Sequence, residues 1–497
     1  MSVKPQYETY RYTDGLVTLR SQSMVECRLA GSEIGSILAV QATAIPTECV
    51  CVDGEVRYKG KAVLCIVYED GDGKVCRVER GIEFFHKAEG REVTPACFSK
   101  TAFTVVNVTH RREGSGLYVT AIIDAVSDVY GSRQIEFLVG GENLVTRSGS
   151  FTVCKTVCVS GETEGEDEFE TDYVGDIVLH GETVIVTRAV ASGGQIDVEG
   201  EITLGVCALK SDDGVCSYER IVPFRMQIPS EEAFGSVTAG ARVFVKSATL
   251  SSKIDEDKGT CKVLFHYELT ADCLLSTKES FSVCQDAFSP SAQVDLERQK
   301  DRGRYLTNQT KCVERVDGKA VLSPAVDGDY TLVASMLPHA EMQCKRKEKG
   351  FEVEGILTAQ ALFKGENGYR TATLTLPFVF PLDADGEEIE TDCMVSALNI
   401  RRKKDGDTEV EATIKVSVRS YDYAEWEYIA SATEGEIVEE SDAGISVFVL
   451  RENEDLWQVA KRLSRMPEEL QKSNPELKFP VKAGERIFVY RQIKGKM

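Results

Sequence analysis

The first ligand-like spacing in the chain is Asp70-Gly71-Asp72-Gly73, where two carboxylates alternate with glycines as at the start of a calcium loop. Such a loop needs a third Asp or Asn in register and a glutamate at its twelfth position. Lys74 and Gly81 stand at those places, so a tight turn is expected instead. His86, His110, His180, His266 and His339 are isolated in sequence, and His266 sits inside the strand-like VLFHYEL. The sixteen cysteines include no C-x-x-C pair, which removes the usual zinc and redox spacings. Phosphate-cradling, zinc-protease and nucleophile-elbow motifs are also missing. Carboxylates are plentiful, but no spacing singles out a glycosidase pair. The expectation is a non-catalytic chain with no cofactor and no metal.

A better organised set of residues lies at 445–492, which reads ISVFVLRENEDLWQVAKRLSRMPEELQKSNPELKFPVKAGERIFVYRQ. Residues 445–450 alternate as a strand. Asp455 suits a helix N-cap, with Gln458 three residues on to complete a capping box. Leu456, Val459, Ala460 and Leu463 then fall at helical spacing on one apolar stripe. Pro467 fits the first position of a second helix, Glu468 and Glu469 suit its dipole, and Asn474-Pro475 ends it. ERIFVY at 485–490 returns as a strand, giving the order βααβ.

That order, with DLWQVAKRL, MPEELQKSNPEL and VKAGERIFVY, resembles the LysM domain, a family that binds glycans containing N-acetylglucosamine, such as peptidoglycan. The resemblance implies a shallow groove made by the loop after the first strand and the loop after the second helix. Carried onto this chain, the groove would hold Glu452, Asn453, Glu454, Asp455, Leu456, Trp457, Asn474, Pro475 and Glu476. The family usually reads Gly-Asp-Thr/Ser where this chain has Asn453-Glu454-Asp455. Losing the glycine removes close backbone approach to a sugar. The expectation therefore moves from sugar reading towards protein docking, with glycan binding as the alternative.

The elements that must carry this module are of another kind. Net charge is −22, but 445–497 carries +4, which leaves −26 on the preceding body. Such a body repels phosphate backbones and argues against nucleic-acid binding. No apolar run approaches the roughly 18 residues of a membrane span, and the first fifteen residues lack the apolar stretch of a signal peptide. A cytoplasmic protein with no transmembrane segment is expected. Cys65, Cys207, Cys261 and Cys273 occupy apolar slots in strand-like runs, where a free thiol acts as a small hydrophobe. The acidic run at 161–172 reads as a solvated loop or a sheet edge.

The body repeats itself. DGEVRYKGKAVLCIVYEDGDGKVCRVERGIEFF (53–85), GGQIDVEGEITLGVCALKSDDGVCSYERIVPF (193–224) and KGFEVEGILTAQALFKGENGYRTATLTLPF (349–378) share a short alternating run reaching Gly60, Gly200 or Gly355. A longer run, an Asp/Asn-Gly turn and a further apolar run follow in each. Second halves follow at 103–130, 243–275 and 393–423, each a strand, a polar turn and a strictly alternating strand. Period-two alternation predicts antiparallel sheets with one buried face. The fold class expected is mainly β: tandem antiparallel β-sandwich-like repeats with a small C-terminal βααβ module. The expected limits are an N-terminal arm at 1–20, repeats at 21–155, 156–288 and 303–430, linkers at 289–302 and 431–444, and the module at 445–492.

Three β repeats followed by a LysM-like module resemble the SipL-type family of spore-coat assembly proteins, whose β repeats are SPOCS domains. The motifs carrying this part of the resemblance are the V-x-G-x-ϕ runs at Val56–Val63-like positions and the VxxATLxxK run beginning at Val245. The resemblance implies a role in sporulation: a coat scaffold on the mother-cell side, recruited to the forespore surface. It also implies a partner, the SpoIVA-like ATPase of the coat's basement layer, and possible contact with peptidoglycan or its precursors.

Overall fold

The computed structural model describes the chain except residues 1, 31–33, 115, 172–175, 211–213, 256, 258–259, 349, 367, 404–405, 439–443 and 491–497. Strands make up 79% of it and helices 4%, in several antiparallel sheets. The mainly β expectation therefore holds. No helix among the described residues is long and apolar enough to cross a membrane.

Six strands make each unit. The first has β1 (Lys4–Ala30), β2 (Ile37–Val52), β3 (Glu55–Glu69), β4 (Val75–Glu89), β5 (Phe98–Glu113) and β6 (Gly116–Glu142). The second has β7 (Val145–Thr171), β8 (Ile177–Ser192), β9 (Gln195–Leu209), β10 (Val215–Pro229), β11 (Thr238–Asp255) and β12 (Thr260–Phe288). The third has β13 (Ala292–Ser323), β14 (Thr331–Arg346), β15 (Phe351–Gly365), β16 (Gly368–Leu382), β17 (Glu388–Arg402) and β18 (Thr408–Ile437). One sheet of each unit follows chain order: β2-β3-β4, β8-β9-β10 and β14-β15-β16. The other places the last strand centrally: β1-β6-β5, β7-β12-β11 and β13-β18-β17. In the third unit a short pairing of β13 with β16 joins the two sheets.

Each pair of sheets closes on its own core. In the first unit Val56, Tyr58, Ala62 and Phe84 face Leu19, Ile123, Ala125 and Val129. The repeated glycine is explained by packing across the strands. Gly60 lies opposite Phe84, Gly200 opposite Phe224 and Gly355 opposite Phe378, and each ring folds over its glycine. A Cβ at these glycines would stand 2.5, 2.3 and 2.3 Å from the ring, so only glycine fits. The Asp70–Lys74 stretch is a tight turn, with the Asp70 carboxylate accepting from the Asp72 and Lys74 amides at 2.9 Å each. Of the turn expected around 210–215, residues 211–213 lie outside the described residues.

The expected domain limits need correction at one recurring element. Residues 1–20 are no separate arm: β1 pairs along β6 from Lys4 to Ala30. From Ala292 onward the expected 289–302 linker lies in β13, which pairs along β18. The boundary at 155 falls inside β7, and β18 carries the third unit past 430 to Ile437. The units therefore span 4–142, 145–288 and 292–437. Much of the first half of β13 is exposed and charged, so its alternation is weak, and backbone pairing holds it in the sheet. Residues 439–443 of the 431–444 linker lie outside the described residues.

The three units pack around one another. β8 contacts β3 and β4, β14 contacts β9 and β10, and β2 contacts β16, so the third unit returns to the first. Two apolar layers draw on all three units. Leu38, Cys65, Leu179, Cys207, Ala334 and Leu362 share one, and Tyr12, Phe137, Phe151, Val283, Trp426 and Tyr428 share the other. All sixteen cysteines are free thiols, and Cys65, Cys207, Cys261 and Cys273 are buried as their apolar slots require. Residues 161–171 lie in β7, at the edge of its sheet. Beyond the units, β19 (Ile445–Val449), α1 (Leu456–Leu463), α2 (Pro467–Ser473) and β20 (Arg486–Tyr490) form the βααβ module.

Candidate functional site: the C-terminal module and its seat

The module is built as its local signals require. β19 and β20 pair antiparallel from Ile445–Tyr490 to Val449–Arg486. Asp455 caps α1 by accepting from the Gln458 amide at 2.7 Å, and the Gln458 side chain accepts from the Asp455 amide at 2.8 Å. Ser464 closes α1 in a left-handed conformation, and Pro467 opens α2. Leu450, Val459, Ala460, Leu470, Val481 and Ile487 form the core between helices and hairpin.

The nine candidate groove residues serve different ends. Asn474 is buried and structural: its amide donates to the Leu470 and Phe488 carbonyls at 3.0 and 2.7 Å and accepts from the Phe488 amide at 2.8 Å. It therefore ties the end of α2 to β20. Glu454 grips Arg462 at 2.9 and 2.8 Å and accepts from the Arg451 amide at 2.7 Å. Partial burial raises its pKa, but these partners outweigh that and hold the carboxyl below its ordinary range. Leu456 packs against the module core. Glu452, Asn453, Pro475 and Glu476 are exposed or nearly so, and Asn453 sits in the left-handed region at φ 63°.

Asp455 and Trp457 meet the β body. The Trp457 indole Nε1–H donates to Asp286 Oδ2 at 2.8 Å, and Lys461 Nζ donates to Asp286 Oδ1 at 2.6 Å. Phe288 meets the Trp457 ring edge to face at 5.2 Å between centroids. Phe288 and Val145 join the module's own apolar core. Arg147 pairs with Asp455 at 3.3 Å. Asp286 stands at a register shift near the end of β12, where the strand irregularity turns its carboxylate to the module. Burial works against its charge, but Lys461 and Trp457 outweigh burial and hold its pKa low. Sequence reading missed Val145, Arg147, Asp286, Phe288 and Lys461. No local pattern links them, since Asp286 and Trp457 are 171 positions apart.

No family model matches this chain, and no curated protein and no solved structure matches it.

A second polar assembly lies where the three units meet. Arg242 of β11 reaches Asp128 of the first unit at 3.0 Å and Glu390 of the third at 3.1 Å. Arg419 pairs with Asp392 at 2.5 Å and Glu390 at 3.3 Å, and Arg304 pairs with Glu388 and Glu390 at 2.9 Å each. Lys100 reaches Asp272 at 2.7 Å. Burial pushes Glu390 up, but Arg242, Arg419 and Arg304 prevail and bring it down to about 2. The cavity lined by Lys100, Asp128, Arg242, Asp272, Glu390 and Arg419 is about 40 Å³, room for solvent and not for an organic substrate. Its charges are spent on one another and clamp the units together. Among the described residues, no group of three His, Cys, Asp or Glu has the spacing to hold a metal ion. The module is likewise exposed, and its helices and hairpin are organised around a core of their own.

Proposed function

We propose that this chain is a non-catalytic spore-coat morphogenetic scaffold whose LysM-like module docks onto the SpoIVA-like ATPase of the coat's basement layer. In this reading the docking helps the coat localise around the forespore from the mother-cell side. The observation carrying it is the seat of the module: a small basic unit fixed to an acidic, three-part β body through Trp457, Lys461 and Asp286. A rigidly presented module suits a scaffold, because fixing the orientation of a docking surface lowers the cost of ordering it on binding. The β units supply breadth. The occupation of Asp455 and Trp457 by the body further favours protein docking over the alternative, peptidoglycan or N-acetylglucosamine binding at that groove.

A fluorescent fusion followed through sporulation tests the reading, with a ring at the forespore surface expected. Diffuse fluorescence in cells that form spores would sink it. Co-sedimentation with purified peptidoglycan sacculi tests the alternative, which strong, salt-insensitive binding would favour.

A further inference from the structure

The two strands of the module's hairpin have side chains on both faces, and both faces are apolar. On the inner face Ile487 and Val489 pack against the helices. On the outer face Ile445 lies opposite Tyr490, Val447 opposite Phe488 and Val449 opposite Arg486. The five apolar side chains of this outer face are between 41% and 60% exposed. A half-buried antiparallel hairpin ordinarily alternates apolar-in with polar-out, so ISVFV and RIFVY depart from what folding alone requires. Arg486 has no ion-pair partner among the described residues, although the chain has many more carboxylates than cations.

We infer that this outer face, and not the loop groove, is the module's docking surface, and that its occupant is a protein surface with apolar side chains and a carboxylate set to meet Arg486. The inference rests on the docking reading above and names the face that performs it. Aromatic residues and arginine are the types that dominate binding energy at protein interfaces, and here Phe488, Tyr490 and Arg486 share one strand. A second copy is disfavoured as occupant. Pairing two copies would bring two strongly acidic bodies together. A glycan is disfavoured because the face offers only Arg486 and the Tyr490 hydroxyl for side-chain hydrogen bonding, with Phe488 between them and three aliphatic side chains opposite. The seat on β12 engages Trp457 and Lys461 of α1 and leaves this face uncovered by described residues.

The test uses the full chain and four variants: V447E, F488E, R486E and the conservative F488L. The probes are the purified basement-layer ATPase, peptidoglycan sacculi and phosphatidylglycerol vesicles. Wild type is expected to bind the ATPase, V447E and F488E to bind at least about 30-fold more weakly, R486E about 10-fold more weakly, and F488L within about 3-fold. R486E changes an exposed side chain, so its loss of binding reads the surface and not the fold. Wild-type binding that survives R486E, V447E and F488E overturns the inference and leaves the docking reading standing. Variants that lose sacculi or vesicles while keeping the ATPase overturn it by naming another occupant. A wild-type chain that binds no ATPase removes the docking reading and the inference together.

Discussion

The indole N–H of Trp457 donates to the carboxylate of Asp286 across 2.8 Å, and this contact joins the last module to the end of β12. Lys461 completes the fork on the other carboxylate oxygen at 2.6 Å, and Phe288 closes over the ring. Asp286 is therefore the polar centre of the seat, beside the Arg147–Asp455 pair and the apolar contacts of Val145 and Phe288. Its neighbours set the electrostatics, because two donors from α1 converge on a single partly buried charge.

Asp286→Ala should loosen the module and cost about 1.5–3 kcal/mol, the range for a hydrogen bond to a charged group. Tryptophan fluorescence reads this directly, since Trp457 is one of only two tryptophans in the chain. Emission should shift to the red in the variant. The pH sign follows from the depressed pKa of Asp286. Its stabilisation is present above the ordinary aspartate range and is lost as pH falls through its lower folded value. The wild-type emission shift on acidification should therefore come below that range, and an unchanged spectrum in the variant would refute the seat.

Asp14 makes the opposite case. Burial pushes its carboxyl up to about 6, and the Arg133 guanidinium at 3.2 Å only partly offsets that. Between the unfolded value near 4 and the folded value of about 6, the native state binds the extra proton. Stability contributed by this site therefore falls as pH rises through that window. Asp14→Asn should remove the fall and stabilise the chain at pH 7.5 by on the order of 2 kcal/mol relative to wild type, with little gain at pH 4. Urea midpoints at the two pH values check it.

Local chemistry was legible and distant chemistry was not. The capping box of Asp455 and Gln458 is written within four residues, and the structure makes both of its bonds. Gly60, Gly200 and Gly355 marked the repeats because each recurs at one place in an alternating pattern. Their partners Phe84, Phe224 and Phe378 lay within the same quoted runs. The first strand of each unit was missed wholly or in part for one physical reason. β1, β7 and β13 are pinned mainly by backbone bonds to the last strand of their own unit, far along the chain, and these leave little imprint on side-chain alternation. Asn474 has the sequence context of a groove residue because a helix stop and a surface loop share the same Asn-Pro signal. Its buried bonds to Phe488 emerge only when α2 meets β20. The Arg242 cluster was invisible, because its members come from all three units.

The glycine beneath Phe224 gives a test of the repeat's packing. A Cβ at Gly200 would stand 2.3 Å from the ring and equally close to the Ile185 carbonyl oxygen. Gly200→Ala should therefore destabilise by about 2–4 kcal/mol, seen as a lower urea midpoint. Adding Phe224→Leu should recover only part of the loss, since the backbone oxygen remains. Full recovery would show that the ring alone sets the constraint.

Arg419 provides the sharpest test of how the units are clamped. Its side chain is 3% exposed and pairs with Asp392 and Glu390, while Glu390 also binds Arg242 from the second unit. Arg419→Met removes one cation and leaves the carboxylates short of compensation, at a cost of about 3–5 kcal/mol. Because the cluster is largely shielded, this loss should change little between low salt and 0.5 M salt, unlike that of a surface pair. Adding Glu390→Gln to Arg419→Met should restore a large part of the stability, as the excess negative charge is removed. If the double variant is instead as unstable as the sum of the two singles, Arg419 and Glu390 act independently and the clamp does not run through this pair.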